Sequence, residues 1–303
     1  MVGLGRMGGN MVLRLLKRGH RLVAFDLSAD AVKRHEDAGA AGASSWEEFV
    51  SKFENRPRVM WIMVPAGDPT TQAINKLIEL GDPGDIIIDG GNTNWKVALQ
   101  DCTRVKAKGL HYVDAGVSGG IWGFEFGYSL MVGAENDVYE RCLPLFKDLA
   151  PDDGGLVHTG PEGSGHFVKM VHNGVEYGLM QAYAEGFQVM KMSKSFPGMD
   201  MRAIAEAWRS GSVVRSWLLD LIARGLAQDP ELSEIKGYVE DTGEGRWTVE
   251  TAIDESVPTP VIAESLFARF RSRMENTFGD RMLAMMRAQF GGHAVVKDAA
   301  SEK

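Results

Sequence analysis

Almost at its start the chain reads Gly3-Leu4-Gly5-Arg6-Met7-Gly8, a GxGxxG spacing that runs straight into a helical pattern. Glycines at these positions permit a tight turn and let a bulky anionic group reach the free N–H groups of a helix N-terminus. Alone the motif is weak, but here its context is complete. Met11, Val12, Leu15 and Leu16 form an apolar stripe that predicts a helix over 11–18. Gly19 ends it, and a β-rich run over 21–25 leads to Asp26. Asp26 stands 23 positions after Gly3, where a carboxylate meets the ribose hydroxyls of a dinucleotide. The plainer role of such an acid is to cap the next turn. Its charge repels a 2′-phosphate, which favours NAD over NADP, whereas Arg6 is able to attract one and keeps NADP as the lesser alternative. Only Met1 and Val2 precede the first glycine, short of the ~5 residues of an ordinary strand, so the natural start is expected a few codons upstream.

The alternation continues through the first half. Ser28 and Ser45 are expected to cap helices over 29–37 and 46–53. Strands are expected over 59–64, 85–89 and 111–114, and helices over 70–80 and 95–108. Strands alternating with helices imply a parallel sheet covered on both faces, an α/β Rossmann-type domain over 1–162. Beyond it the pattern turns helical: one long helix over 166–192, then segments over 201–210, 213–227, 247–254, 261–272 and 280–289. An all-α domain over 163–303 is therefore expected, with the boundary in the Gly160-Pro161-Glu162-Gly163-Ser164-Gly165 stretch.

The composition fits two ordinary globular domains. The 303 residues are 44% hydrophobic and 24% charged, enough chain for sizeable cores without disulfides. A net charge of −8 argues against nucleic acid as a partner, because phosphate binding needs a basic field. No signal peptide is recognisable and the most apolar run, 59–66, is far short of the ~20 residues that span a bilayer, so a cytoplasmic location with no membrane partner is expected. Cys102 and Cys142 leave room for at most one disulfide and suit a reducing compartment. The seven histidines are dispersed, with no HExxH and no cysteine cluster, so no metal is expected.

The densest chemistry lies at the start of the long helix. Lys169, His172, Asn173 and Glu176 fall at i, i+3, i+4 and i+7, on one helical face. A solvated Lys–Glu face is the ordinary meaning of such spacing. It fits poorly here, since the face also carries His and Asn, Gly174 interrupts it, and the helix begins at a domain boundary, where clefts form.

These strings resemble 6-phosphogluconate dehydrogenase, in its short form, over essentially the whole chain. The resemblance rests on Gly3-Leu4-Gly5-Arg6-Met7-Gly8-Gly9-Asn10, Asp89-Gly90-Gly91-Asn92, Gly116-Val117-Ser118-Gly119-Gly120, Lys169 to Tyr177, Phe267-Ala268-Arg269 and Phe290-Gly291-Gly292-His293. The first and third are shared with the wider β-hydroxyacid dehydrogenase superfamily; the His172-Asn173-Gly174-Val175-Glu176-Tyr177 string is more specific. The resemblance implies NAD-dependent oxidative decarboxylation, with Lys169 as general base and Glu176 as the acid that protonates the enediol. It implies substrate contacts from Ser118, Gly119, Gly120, His172 and Asn173, with Asn92 between nicotinamide and substrate. Tyr177 and Arg269 would hold the 6-phosphate, and Val64, Pro65 and Ala66 would form a loop over the cofactor. Arg287 and His293 would belong to a tail that reaches a neighbouring subunit's active site, implying a homodimer or homotetramer. The base must be neutral to act and the acid protonated, so a lowered pKa is expected for Lys169 and a raised one for Glu176.

One part departs from the family pattern. The Gly-rich loop that supplies a phosphate-binding lysine in the long enzymes is here Asp241-Thr242-Gly243-Glu244-Gly245-Arg246-Trp247, with Thr242 at the lysine position. Arg246 is a candidate substitute, and a helix-entry turn is the plainer reading. Two other functions fit parts of the sequence: a related 3-hydroxyacid dehydrogenase, such as one acting on 3-hydroxyisobutyrate, and a non-catalytic redox sensor, which would not need Lys169 and Glu176.

Overall fold

A computed structural model describes residues 1–291 and 294–296. It divides into two compact units, Met1–Asn173 and Gly174–Lys303. The first alternates α1 (Arg6–Lys17), β1 (Val23–Phe25), α2 (Ala29–Asp37), β2 (Ala41–Ala43), α3 (Trp46–Ser51), β3 (Val59–Ile62), α4 (Asp68–Leu80), β4 (Ile86–Asp89), α5 (Trp95–Lys106) and β5 (His111–Ser118). A 3-10 turn (Gly120–Trp122), α6 (Gly123–Phe126), β6 (Ser129–Gly133), α7 (Asn136–Leu149) and β7 (Leu156–Gly160) follow, and then α8 (Ser164–Lys191). Ser28 and Ser45 do cap α2 and α3, accepting the N–H of Ala31 and of Glu48 on their hydroxyls; each such cap stabilises by about 1 kcal/mol.

Val2 bridges Phe25 on one side and Ile62 on the other, both in parallel. It thereby joins the β1–β2 pair to the β3-β4-β5-β6-β7 sheet. Side chains alternate across the sheet as the strand period requires. Trp61, Ile86, Ile88 and Val113 pack with Met11 and Leu15 of α1 and Val138 and Phe146 of α7. Met60, Ile62, Ile87 and Tyr112 pack with Phe49 of α3, Ile74 and Leu77 of α4 and Val105 of α5. One expectation needs correcting. The sheet is not wholly parallel: β6 runs antiparallel to β5, from Asp114↔Gly133 to Ser118↔Ser129. The cause is the short connection through α6, which reverses the chain without the crossover a parallel pair requires. Cys102 and Cys142 are both buried and free, and burial raises both thiols, Cys102 to about 11 and Cys142 to about 12.

The second unit adds α9 (Met201–Arg209), α10 (Trp217–Gln228), α11 (Glu244–Asp254), α12 (Pro260–Arg271) and α13 (Phe278–Gly291). Met201 and Ala205 of α9 pack against Leu219, Ala223 and Leu226 of α10, with Tyr183 and Phe187 of α8 beside them. The division falls within α8, because the first turns of that helix lie flat on the sheet. Cβ atoms at Gly116 and Gly165 would meet Lys169 Cβ at 2.4 Å and Asp114 O at 2.6 Å. Among the described residues no helix is long and apolar enough to cross a membrane.

Candidate active site

The ends of Val2, β1, β3, β4 and β5 bring the sequence-predicted residues of the first unit to one edge of the sheet, the C-terminal edge where open α/β sheets bind ligands. Gly3 takes φ +91°, and a Cβ there would lie 2.4 Å from Met63 O, so the first turn admits only glycine. Gly5 is the N-cap of α1 with no side-chain cap, and a Cβ on it would meet nothing within 4 Å. The helix end thus faces open space with unsatisfied N–H groups, a site for an anion. Asp26 accepts the Leu4 N–H at 2.7 Å on one oxygen and the Ser28 N–H at 2.8 Å on the other. It therefore fixes the glycine loop and caps the turn after β1, while each oxygen keeps a lone pair. Arg6 is exposed and Met7 half-buried. Val64 O lies 3.3 Å from where a Gly91 Cβ would stand, so the 63–66 loop adjoins the turn that presents Asn92. Pro65 O accepts the Thr70 hydroxyl at 2.9 Å, which pins that loop to α4.

Beside this edge stands the start of α8. Lys169 is 8% exposed, and its ammonium nitrogen donates to Asn173 Oδ1 one turn on. His172 Nδ1 lies 3.0 Å from the same oxygen, and its Nε2 is 3.5 Å from Ser118 Oγ at the end of β5. The structure therefore brings Lys169, His172, Asn173 and Ser118 together, with Gly119 and Gly120 following directly in the chain. Both glycines take positive φ, +127° and +53°.

Three residues that the sequence reading did not single out lie beneath. Asp89 is 0% exposed and ends β4. Its oxygens accept the Gly91 N–H at 3.0 Å, the Thr93 hydroxyl at 2.7 Å and the Tyr112 hydroxyl at 3.3 Å. Asp114, its register partner on β5, accepts the N–H groups of Gly163 at 2.5 Å and His166 at 2.7 Å. It satisfies orphan donors at the head of α8. His166, 2% exposed, puts Nε2 at 3.3 Å from Asp89 Oδ2, an ion pair without hydrogen-bond alignment. Burial raises the Asp89 carboxyl, but the His166 charge and the donated hydrogen bonds outweigh it and hold the carboxyl below its usual value. Burial lowers His166, yet Asp89 and then Asp114 prevail and raise it. Burial raises Asp114 itself. The signal available beforehand was two acids inside otherwise apolar strands, a costly placement unless each is partnered.

In the second unit, Tyr177 is buried and accepts the Thr242 N–H at 3.2 Å on its hydroxyl. The Arg269 guanidinium lies 3.5 Å over the Tyr177 ring and donates to Glu240 O at 2.8 Å. These two predicted phosphate ligands are thus adjacent. The 241–247 loop enters α11 through Gly243 at φ +104°, so the helix-entry reading holds for it. Asp241 pairs with Arg246 at 3.0 Å and Arg273 at 2.9 Å. Burial raises Asp241, but the two arginines together lower it. Arg273 is a third guanidinium in this cluster that sequence reasoning missed. Glu176 is half-buried on α8, two turns beyond Lys169, and Arg287 is exposed on α13. His293 lies outside the described residues. Among the described residues no group of three or more His, Cys, Asp or Glu is placed to hold a metal ion.

Residues 1–160 match the family described as the NAD binding domain of 6-phosphogluconate dehydrogenase, and 165–299 match its C-terminal domain. The NAD(+)-dependent, decarboxylating 6-phosphogluconate dehydrogenase of Haloferax volcanii is 41% identical over 298 residues, 98% of each chain. The NAD(+)-dependent enzyme of that name from Bacillus subtilis is 34% identical over 297 residues, and this chain covers 62% of its length. Plasmodium falciparum 6-phosphogluconate dehydrogenase superposes with a TM-score of 0.82 at 26% identity, covering 99% of this chain and 66% of that one. A Mycobacterium tuberculosis 3-hydroxyisobutyrate dehydrogenase shares the fold at a TM-score of 0.70 and 21% identity, over 95% of this chain and 98% of that one. With both halves matched and a relative of equal length at such identity, the chain belongs to the 6-phosphogluconate dehydrogenase family.

Proposed function

We propose that this chain converts 6-phospho-D-gluconate to D-ribulose 5-phosphate and CO2 with reduction of NAD, the decarboxylating step of the pentose phosphate pathway. The observation that carries the reading is the buried Lys169–Asn173 pair on α8, set beside His172 and Ser118 at the ligand-binding edge of the sheet. Lys169 takes the proton of the substrate 3-hydroxyl as the C3 hydride departs. The bound NAD supplies the hydride acceptor. The resulting ketone lies β to the C1 carboxylate and accepts the electron pair released when CO2 leaves, so the bond breaks without a metal. Glu176 then protonates C1 of the enediol. Ser118, Gly119, Gly120, His172 and Asn173 hold the carboxylate end, Asn92 orients the reacting carbon, and Tyr177 with Arg269 holds the 6-phosphate.

The residues at the sheet edge fit the dinucleotide. The uncapped helix end at Gly5 suits a pyrophosphate, and the free lone pairs of Asp26 suit ribose hydroxyls. Gly3, Gly5, Arg6, Met7, Gly8, Asp26, Val64, Pro65, Ala66 and Asn92 are assigned to it. NAD is the working cofactor rather than NADP, because the Asp26 carboxylate repels a 2′-phosphate. Replacing Asp26 by alanine is expected to raise the KM for NAD by about 10-fold, through lost ribose bonds and a loosened Leu4 anchor, with a smaller change for NADP. An unchanged NAD/NADP ratio would remove Asp26 as the selector.

We assign 1–162 to dinucleotide binding and 163–303 to substrate binding and oligomerisation, in the cytoplasm. Exposed Val261, Phe267, Met282, Leu283, Met285 and Met286 on α12 and α13 support a homodimer or homotetramer in which Arg287 and His293 complete a neighbour's site. The test of the reaction is direct. Purified protein with 6-phosphogluconate and NAD should yield reduced cofactor and CO2 in equal amounts. Turnover of an unphosphorylated 3-hydroxyacid in place of 6-phosphogluconate would overturn the assignment.

A further inference from the structure

We propose that His166 and Asp89 form a buried positioning pair that locks the turn carrying Asn92 to the head of the helix carrying Lys169. Both groups lie in the sheet unit, and neither is placed to touch substrate. The argument starts from the 89–93 turn. Asp89 holds Gly91 through its N–H and Thr93 through its hydroxyl, the two neighbours of Asn92, so its carboxylate sets the course of that turn. His166 approaches the oxygen that binds Thr93. It is the third residue of α8, and Lys169 follows one turn later on the same side. A shift of the imidazole would therefore move Asn92 and Lys169 relative to each other.

The surroundings favour the charged form of the ring. A cation at a helix N-terminus is unfavourable with respect to the helix dipole. Here Asp89 of β4, Asp114 of β5 and Asp101 of α5 act on the ring, and the Tyr112 hydroxyl of β5 donates to the same Asp89 oxygen. Burial raises Asp101, which pairs with Arg104, and burial raises the Tyr112 hydroxyl. Asp114 is occupied by two backbone donors. Asp89 is the acid nearest the ring, 3.3 Å from its Nε2, and the first charge that raises it. The shift directions set the pH window. The contribution of His166 is complete below the ~6.5 of an unfolded histidine and is lost as pH rises through its raised folded value. That of Asp89 is complete above ~3.9 and is lost as pH falls through its lowered value.

The inference rests on the reading of Lys169 as the base, and its tests separate the two. With the parent enzyme active, His166→Gln is expected to lower kcat by about 10- to 100-fold, while KM for 6-phosphogluconate and for NAD stays within about threefold. In the Asp89→Asn, His166→Gln double variant the loss should match the worse single variant, since both changes break one pair. A kcat within about twofold of the parent in His166→Gln, or losses that multiply in the double variant, would overturn it. A second measurement needs neither turnover nor a folded variant. Nitrogen-15 spectra of the histidine rings in the parent protein should show His166 still as imidazolium at a pH above the ~6.5 where an ordinary histidine is half neutral. A neutral His166 ring at that pH overturns the pair. Should the parent turn over no 6-phosphogluconate, the functional reading fails, and the ring spectrum alone decides whether the ion pair exists.

Discussion

Lys169→Ala is expected to lower kcat with 6-phosphogluconate by about a thousandfold, while the protein still folds and still binds NAD. General acid–base catalysis contributes roughly a hundred- to ten-thousandfold, and a thousandfold is about 4 kcal/mol of barrier. The fold should survive because the Lys169 Cβ, the atom nearest Gly116, is kept in alanine. The Lys169 amine also donates to Asn173 Oδ1, one turn along the same helix. A base and a fixed positive charge are told apart by Lys169→Arg. Guanidinium keeps the charge but does not give up its proton in proteins. Losses of similar size in the two variants identify a base. Retention of more than about a tenth of parental kcat in Lys169→Arg would mean that charge, not proton transfer, is what the position supplies.

That position was visible in the sequence because its signal is local. Lys169, His172, Asn173 and Glu176 share a helical face by spacing alone, and the nearly unbroken helical pattern over 166–192 matches the observed helix Ser164–Lys191. The same holds for the Ser28 and Ser45 caps, each of which acts on backbone within a few residues, while the glycine loop and Asp26 are legible from their fixed spacing. Local signals fail over 115–160. There β5 continues to Ser118, four residues past the expected end, because Ala115, Gly116 and Val117 pair with β6. No rule of residue type makes an Ala-Gly-Val run a strand; a distant partner does so. Helix α7 carries Pro144 in its interior, a residue that speaks against a helix, and it persists because Val138, Cys142 and Phe146 are buried on the sheet. The acidic pair beneath the site was hidden for the same reason. His166 meets Asp89 and Asp114 only when β4 and β5 are adjacent, and their sequence separation erases any periodic trace. Arg273 likewise joins Asp241 across 32 residues. The sequence thus displays residues that share one helical face or turn, whereas His166, Asp89 and Asp114 are brought together only by the sheet.

Gly165→Ala should show how much depends on that assembly. A Cβ at Gly165 would stand 2.5 Å from Met131 O, 2.6 Å from Asp114 O and 2.8 Å from Gly133 N. All three are backbone atoms of paired strands, so none can swing aside as a side chain would. The helix must lift, and with it goes the Asp114 cap on the His166 N–H. Overpacking of this kind costs about 3 kcal/mol, which at roughly 2–4 °C per kcal/mol lowers Tm by about 6–12 °C. A control lies on the same helix. Gly186 has nothing within 4 Å of its would-be Cβ, so Gly186→Ala should stabilise α8 by up to about 1 kcal/mol. The same substitution is therefore expected to have opposite signs at two positions of one helix. Thermal unfolding of the two variants reads both effects. Equal Tm values would mean that α8 does not rest on β5 and β6 at Gly165. Loss of kcat in Gly165→Ala, measured well below its Tm, would tie that seating to the placement of Lys169 one turn further along.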